Sequence, residues 1–277
     1  MILYYVRQVR EDFPRMGYLK LYEKSKWFFQ DEFTLGRDAF YHLLRERGLM
    51  LKLKKRKART TDSSHRFFRY KNLVKDFTAT APCRLWVADI TYIRLEDGFC
   101  YLSLVTDGFS RKIVGWRLSD SLKYVHTRKA LEMAIEEAGK EKHSLVGLIH
   151  HSDRGVQYAY PDYTDLLCAH RCRISMTQSG DPLENALAER MNGILKQEWL
   201  HCHHFTCIEQ AQIAVEKAIR LYNTQRPHAA LGMKTPQMVH LNQPYQKEEY
   251  QIPYPSQETP CGTGAAAPPQ RGAIPER

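Results

Sequence analysis

A 277-residue chain with 43% hydrophobic and 11% aromatic residues has the apolar content for a sizeable core and is not a generally disordered polymer. Its formal charge of +10, from 41 Lys and Arg against 31 Asp and Glu, favours a polyanionic partner, nucleic acid ahead of an anionic membrane surface. No stretch of about eighteen apolar residues is present to span a bilayer, residues 1–7 turn basic too early for a secretory signal, and seven scattered cysteines suit reduced thiols in a cytoplasmic protein.

Residues 1–50 read as helical. One helix runs through residues 18–27 after a break at Pro14 and Gly17. A second, over 36–47, places Phe40, Leu43 and Leu44 on one face and stops at Gly48. Two short helices around a turn resemble a DNA-binding helix-turn-helix, whose second helix would enter the major groove; an ordinary helical hairpin has the same pattern. Residues 51–75 hold ten Lys or Arg and one acid, Asp62, interleaved with Phe67, Phe68 and Tyr70. A solvated linker is the plain reading of such a run. Its single sign and its aromatics also fit a segment that tracks phosphates, with Lys54, Lys55, Arg56 and Lys57 as DNA contacts. The basic linker is expected to span 51–83.

From Arg84 the pattern becomes α/β. A strand over 86–93 leads through an Asp97-Gly98 turn into strands at 99–106 and 113–118, an antiparallel meander. A helix over 124–140 follows, then a buried strand at 145–150, a helix near 162–170 and a strand at 173–177. The helix that carries Glu189 (185–200) and a final helix (206–223) closed by Arg226-Pro227-His228 complete the pattern. This order predicts a ribonuclease H architecture over 84–242: a mixed five-stranded sheet flanked by helices. The Pro/Gly/Ala-rich tail, 243–277, is expected to be disordered.

The acids carry the chemistry. An ionised carboxylate inside a strand as apolar as 86–93 is costly unless compensated, so Asp89 needs a partner. Asp153 follows the 145–150 run in a loop containing Gly155, and Glu189 lies on its helix. Three acids brought together from distant segments make a site for hard cations. Mg²⁺ or Mn²⁺ is expected, as two ions about 4 Å apart that serve in-line phosphoryl displacement. At 100° per residue Asn185, Glu189, Asn192 and Lys196 share a narrow arc beside an apolar stripe of Leu187, Met191, Ile194 and Leu195. That arc would bring an acid, two amides and a phosphate-holding lysine to the site, although a plain amphipathic helix has the same spacing. Asp107 competes with Asp89 because it also ends an apolar strand. Asp181 and Glu184 read as N-terminal charge and capping for the Glu189 helix. Cys168-Ala169-His170-Arg171-Cys172, and His201-Cys202-His203-His204 with Cys207, match no standard zinc-finger spacing, and no metal is expected there.

Three stretches together carry a resemblance. Trp86-Val87-Ala88-Asp89-Ile90-Thr91-Tyr92, His151-Ser152-Asp153-Arg154-Gly155-Val156-Gln157-Tyr158, and Ser175-Met176-Thr177 through Asn185-Ala186 to Glu189 resemble the integrase core of the IS-three family of bacterial insertion-sequence transposases. Tyr222-Asn223, Arg226-Pro227-His228 and Leu231-Gly232 to Pro236 are similar to that family's C-terminal signature, and 60–73 to its pre-core linker. The resemblance implies that Asp89, Asp153 and Glu189 are the DDE triad, with Asp89 preferred over Asp107. Lys196 would be the basic residue seven positions beyond the glutamate. It further implies a metal-dependent DNA transposase, homo-oligomeric on DNA, that acts with or fused to an upstream-frame helix-turn-helix protein. Departures are confined to the loop at Asp181-Pro182-Leu183-Glu184 and the Pro/Ala tail. Two other readings remain open at this level. One is a related integrase or ribonuclease H-like nuclease; the other is a non-catalytic, transposase-derived DNA-binding protein, which should have lost a carboxylate.

Overall fold

A computed structural model describes residues 1–51, 68, 70–178 and 185–245. The sheet has the order β3-β2-β1-β4-β5. β1 (Leu85–Leu95), β2 (Gly98–Asp107) and β3 (Ile113–Ser119) form the antiparallel meander, while β4 (Ile149–Ser152) and β5 (Arg173–Met176) run parallel to β1 on its other side. Central β1 explains its own sequence. Trp86, Val87 and Ala88 are buried on both faces, whereas further along Thr91 and Ile93 are buried and Tyr92 and Arg94 are exposed. The expected strand at 145–150 is shorter than its apolar run. Residues 145–148 instead form a turn, with Gly147 at φ +79° and the Leu148 N–H donating to the Leu145 carbonyl at 3.0 Å. Leu145 and Leu148 are apolar because they plug the core from that turn, and ladder pairing begins only at Ile149.

One face of the sheet is covered by α4 (Tyr124–Lys140), the short α5 (Val156–Ala159) and α6 (Pro161–Ala169). Ala130, Ala134 and Ala138 let α4 lie close, and Gly115 of β3 is required beneath it: a Cβ there would collide with the Ala130 carbonyl oxygen. The other face packs on α7 (Ala186–Glu198) and α8 (Ile208–Thr224). A short helix, α9 (Pro236–Leu241), follows them; neither it nor α5 stands out in the sequence, since each is too brief to show a helical period.

The N-terminal helices α1 (Ile2–Asp12), α2 (Tyr18–Phe29) and α3 (Arg37–Glu46) are not set apart from the core. Tyr5, Val9, Phe13, Leu21, Phe40 and Leu44 share one hydrophobic cluster with Leu102, Met191, Leu195 and Tyr222. The Trp199 indole N–H donates to the Asp12 carbonyl at 2.8 Å. Polar groups reinforce this joint. Arg226, 2% exposed, grips Glu198 through Nε and Nη2, both at 2.7 Å, and Lys20 Nζ reaches the same carboxylate at 2.6 Å. Burial opposes the Glu198 charge, but Arg226 and Lys20 outweigh it and hold the carboxyl below its usual range. The C-terminal signature is thereby explained as architecture. Asn223 caps the edge of β3 by accepting from the Ile113 N–H and donating to the Ile113 carbonyl, both at 2.9 Å, and the Tyr222 hydroxyl donates to the Arg111 carbonyl at 3.0 Å.

Ordered packing also outlasts the expected start of the tail at 243. Tyr245 packs against Trp27 with ring centroids 4.5 Å apart and donates to Gln225 Oε1 at 2.9 Å. The remainder of the tail, 246–277, lies outside the described residues, as do Lys54, Lys55, Arg56 and Lys57 and the capping acids Asp181 and Glu184.

Candidate active site

Strand register brings the first two acids together. β1 and β4 pair in parallel with Val87 opposite His151 and Ala88 opposite Ser152. Asp89 and Asp153 therefore come one step beyond the last pair, on neighbouring strands about 4.8 Å apart. The electrostatics agree: burial, then the Asp153 charge, push the Asp89 carboxyl up to about 7, with Glu189 adding a smaller contribution. Two contacts work the other way. Asn192 Nδ2 donates to Asp89 Oδ2 at 2.7 Å, and the Ile90 N–H donates to Oδ1 at 2.9 Å.

Asp153 is held by the start of α5. The Gly155 N–H donates to Asp153 Oδ1 at 2.9 Å, and a Cβ on Gly155 would press against that oxygen and Gln157 Oε1. Glycine is the residue that lets the loop fold so close to the carboxylate.

α7 supplies the third side of the site. Glu189 is exposed in its first turn, three residues before the Asn192 that docks on Asp89, so it stands on the same face. The three carboxylates are neighbours without forming a tight cluster. Among the described residues, the one set of three Asp, Glu, His or Cys groups with ligand atoms all within 4.8 Å of one another lies elsewhere. Without a counter-ion, like charges favour this spread.

The polar arc of α7 differs in detail from its helical-wheel reading. Asn185 and Asn192, expected to face DNA, are buried at 7% and 6% exposure. Asn192 instead orients Asp89, and its Oδ1, like that of Asn185, has no hydrogen-bond partner. Lys196 does border the site. Burial lowers its ammonium while Asp89 opposes that shift, and its Nζ lies 6.0 Å from the centre of the Tyr92 ring. Beyond it opens a groove of about 610 Å³ lined by Tyr92, Arg94, Phe99, Tyr101, Lys196 and His203, among others.

Asp107, the alternative acid, has surroundings that give it a structural role. It is fully buried and accepts from the N–H groups of Cys83, Phe109 and Ser110 and from the Ser110 hydroxyl, at 2.8 to 3.1 Å. It pins the turn between β2 and β3 to the start of β1. Of the cysteines weighed for zinc, Cys168 and Cys202 are exposed, and buried Cys172 directs its thiol to the Leu145 carbonyl.

One residue of the site escaped the sequence reading. The Tyr158 hydroxyl of α5 is buried with no hydrogen-bond partner; burial and then the charges of Asp89, Tyr163 and Asp153 raise the phenol well above its ordinary value. Its signal was available, because Tyr158 ends the motif that begins at His151, but an aromatic beside a glycine loop reads equally well as packing.

A mixed sheet of order 3-2-1-4-5, with helices on both faces, one acid within the central strand and a second just past the end of the parallel strand beside it, defines a ribonuclease H-like polynucleotidyl transferase. Comparison with known proteins narrows the class. The integrase core domain matches residues 79–182, and a second integrase core pattern matches 170–236. The chain is 35% identical over 204 residues to the 31 kDa protein of insertion element IS600 of Shigella sonnei, covering 73% of this chain and 74% of that one. It is 33% identical over 196 residues to the transposase InsF of insertion sequence IS3A of Escherichia coli K12, covering 70% and 67% respectively. Among solved structures, the magnesium complex of the HTLV-2 integrase catalytic core has a TM-score of 0.45 and 18% identity, covering 58% of this chain and 98% of that one. This chain belongs to the insertion-sequence transposases with a DDE integrase core, and it is a DNA transposase.

Proposed function

We propose that the chain cleaves DNA at the ends of an insertion sequence and joins those ends to a target, with Asp89, Asp153 and Glu189 as its catalytic carboxylates. The observation that carries this reading is the side-by-side placement of Asp89 and Asp153, where burial and the Asp153 charge push the Asp89 carboxyl up. The donors are all carboxylate oxygens, which fit Mg²⁺ or Mn²⁺, and a pair of such ions between the three acids would cancel the repulsion. When bound, the ions supply Lewis-acid activation of a water or 3′-hydroxyl and stabilise the departing 3′-oxygen.

The protein's own residues position and exclude. Asn192 fixes the rotamer of Asp89, and the Gly155 N–H fixes Asp153. Lys196 holds a phosphate next to Asp89, and the aromatic and cationic groove beside it follows the strand beyond. The basic run at Lys54, Lys55, Arg56 and Lys57 adds contacts to the DNA backbone. The protein works as a homo-oligomer on DNA, with or fused to an upstream-frame helix-turn-helix partner, in the bacterial cytoplasm.

The test is cleavage and joining of a labelled element-end duplex with Mg²⁺ or Mn²⁺, alongside a gel shift in EDTA. Asp89→Asn, Asp153→Asn and Glu189→Gln should each lose most activity while still binding DNA, and the triple variant should lose little more. Robust joining by Glu189→Gln would remove that residue from the active site.

A further inference from the structure

The one compact ligand set among the described residues lies away from the active site, and we propose that Cys83, His143, His240 and Glu141 bind a zinc-class divalent ion that locks the C-terminal helix to the start of β1. The ligand atoms of Cys83, His143 and His240 all lie within 4.8 Å of one another. Glu141 Oε2 is 2.9 Å from His240 Nε2 and 3.9 Å from His143 Nε2. Bonds of about 2.0 Å to nitrogen and oxygen and 2.3 Å to sulfur give tetrahedral ligand separations of about 3.3 to 3.6 Å, so the cluster needs to close by an ångström or so.

Ordinary hydrogen bonding explains only part of the arrangement. His240 is satisfied at both nitrogens, by Ser110 Oγ at 2.8 Å and by Glu141. His143 is not: its Nε2 is buried, has no hydrogen-bond partner and faces the same carboxylate. The buried Trp86 indole N–H has the Cys83 sulfur as its neighbour and favours ionisation of that sulfur. Burial and then the Asp107 and Glu141 carboxylates push the Cys83 thiol up to about 12, with Trp86 and the Lys112 ammonium acting the other way, so without a cation the sulfur stays protonated. A divalent cation would offset that excess of negative charge, and its binding would release the thiol proton to solvent.

The supporting shell already resembles that of a metal centre. Ser110 holds His240 Nδ1 and so turns Nε2 inward, Lys112 Nζ takes Glu141 Oε1 so that Oε2 turns to His240, and the Cys83 N–H is anchored on Asp107. Sulfur and imidazole donors select zinc over magnesium, unlike the all-oxygen active site. The two sites are also apart, since Cys83 lies in the turn before β1 and Asp89 sits four residues beyond the first residue of the strand, about 13 Å along it. The ligands come from before β1, after α4 and within α9, so a bound ion would tie three distant segments at one point.

The experiment uses the untagged full chain, stripped with EDTA and titrated with Co²⁺ and then Zn²⁺. The wild type should take up one equivalent of Co²⁺ in a tetrahedral spectrum with a thiolate charge-transfer band, which ions at the active-site carboxylates cannot give. Zinc at a hundredfold excess over Kd should raise the melting temperature by about 5 °C or more. Cys83→Ser should lose the band, while His143→Asn, on a partly exposed loop, should keep its far-UV circular dichroism and lose the zinc-induced shift. Cys202→Ser should behave as wild type. Absence of the thiolate band in the wild type, wild-type binding by both Cys83→Ser and His143→Asn, or loss of binding confined to Cys202→Ser would overturn the proposal. Because none of these readouts requires DNA cleavage, failure here leaves the active-site assignment standing.

Discussion

Replacing Asp89 with asparagine should stabilise the metal-free protein, and the gain should depend on pH in a defined direction. The Asp89 carboxyl is pushed up to about 7 in the folded chain, against about 3.9 for an unfolded aspartate. A raised acid means that ionisation opposes folding. The cost is absent below pH 4, grows as pH rises, and is complete above pH 7. At about 1.36 kcal/mol per unit, the two units between pH 5 and the folded value amount to about 2 to 3 kcal/mol that the wild type loses and the variant keeps. The substitution is sterically neutral, and the local hydrogen bonds permit it. Asn192 Oδ1 is unpartnered, so turning the Asn192 amide over lets it accept from the amide introduced at position 89, and the Ile90 N–H can still donate to the oxygen of that amide. Urea unfolding in EDTA at pH 5 and pH 8 measures the difference. The stability of Asp89→Asn relative to wild type should rise by about 2 to 3 kcal/mol between the two. Equal differences at both pH values, or a variant less stable at pH 8, would refute the claim that burial and Asp153 raise the Asp89 carboxyl. Saturating Mg²⁺ should erase the advantage, because only the wild type retains the full set of anionic ligands.

Three further outcomes follow from particular contacts. Arg226→Ala strands the Glu198 charge beside Lys20 alone and should cost about 3 kcal/mol or more, read as a fall of roughly 10 °C in melting temperature, with Arg226→Lys intermediate. Asp107→Asn turns an acceptor toward the Cys83 N–H into a donor and should cost about 2 kcal/mol of stability. Strand joining per folded molecule, assayed at low temperature, should be preserved in that variant. Changing Lys54, Lys55, Arg56 and Lys57 to Ala should weaken DNA binding by a similar factor on any sequence and make the salt dependence shallower by about 0.9 per lost contact, as measured by fluorescence anisotropy.

The meander, α4 and the Glu189 helix were legible because their patterns are long and local: seventeen residues of helical period in α4, and alternation across hairpin turns in β1 to β3. The convergence of Asp89 with Asp153 was legible only through motif resemblance, since nothing along the chain encodes the register that sets Ala88 against Ser152. Residues 1–50 illustrate the opposite difficulty. Their apolar faces were visible, but the partner those faces choose depends on groups that look like surface charges in sequence. Lys24, for example, is 1% exposed, with its ammonium 4.8 Å from the centre of the Phe13 ring. The Asn185 and Asn192 amides were placed on the correct face of α7, and were misread because a helical wheel shows direction but not depth. The Cys83, His143 and His240 set has no sequence signature at all, because its members come from three segments joined only by folding.

The same contacts argue for how the active site is kept in register. Asp89 sits on a strand locked into the sheet at both sides, but Glu189 and Asn192 ride on α7, which touches the sheet along one face only. What fixes α7 lengthwise is its far end. Glu198 is gripped by Arg226 and Lys20, and Trp199 is tied to Asp12. Arg226 follows α8, which is itself anchored to β3 through Asn223. A chain of buried contacts thus runs from the edge of the sheet, through the C-terminal signature and the N-terminal helices, to the helix that presents Glu189. Arg226 is therefore expected to act as a positioning residue for the active site. Its loss should let α7 shift relative to Asp89, and a displacement of an ångström is enough to cost a reaction that depends on aligned oxygens.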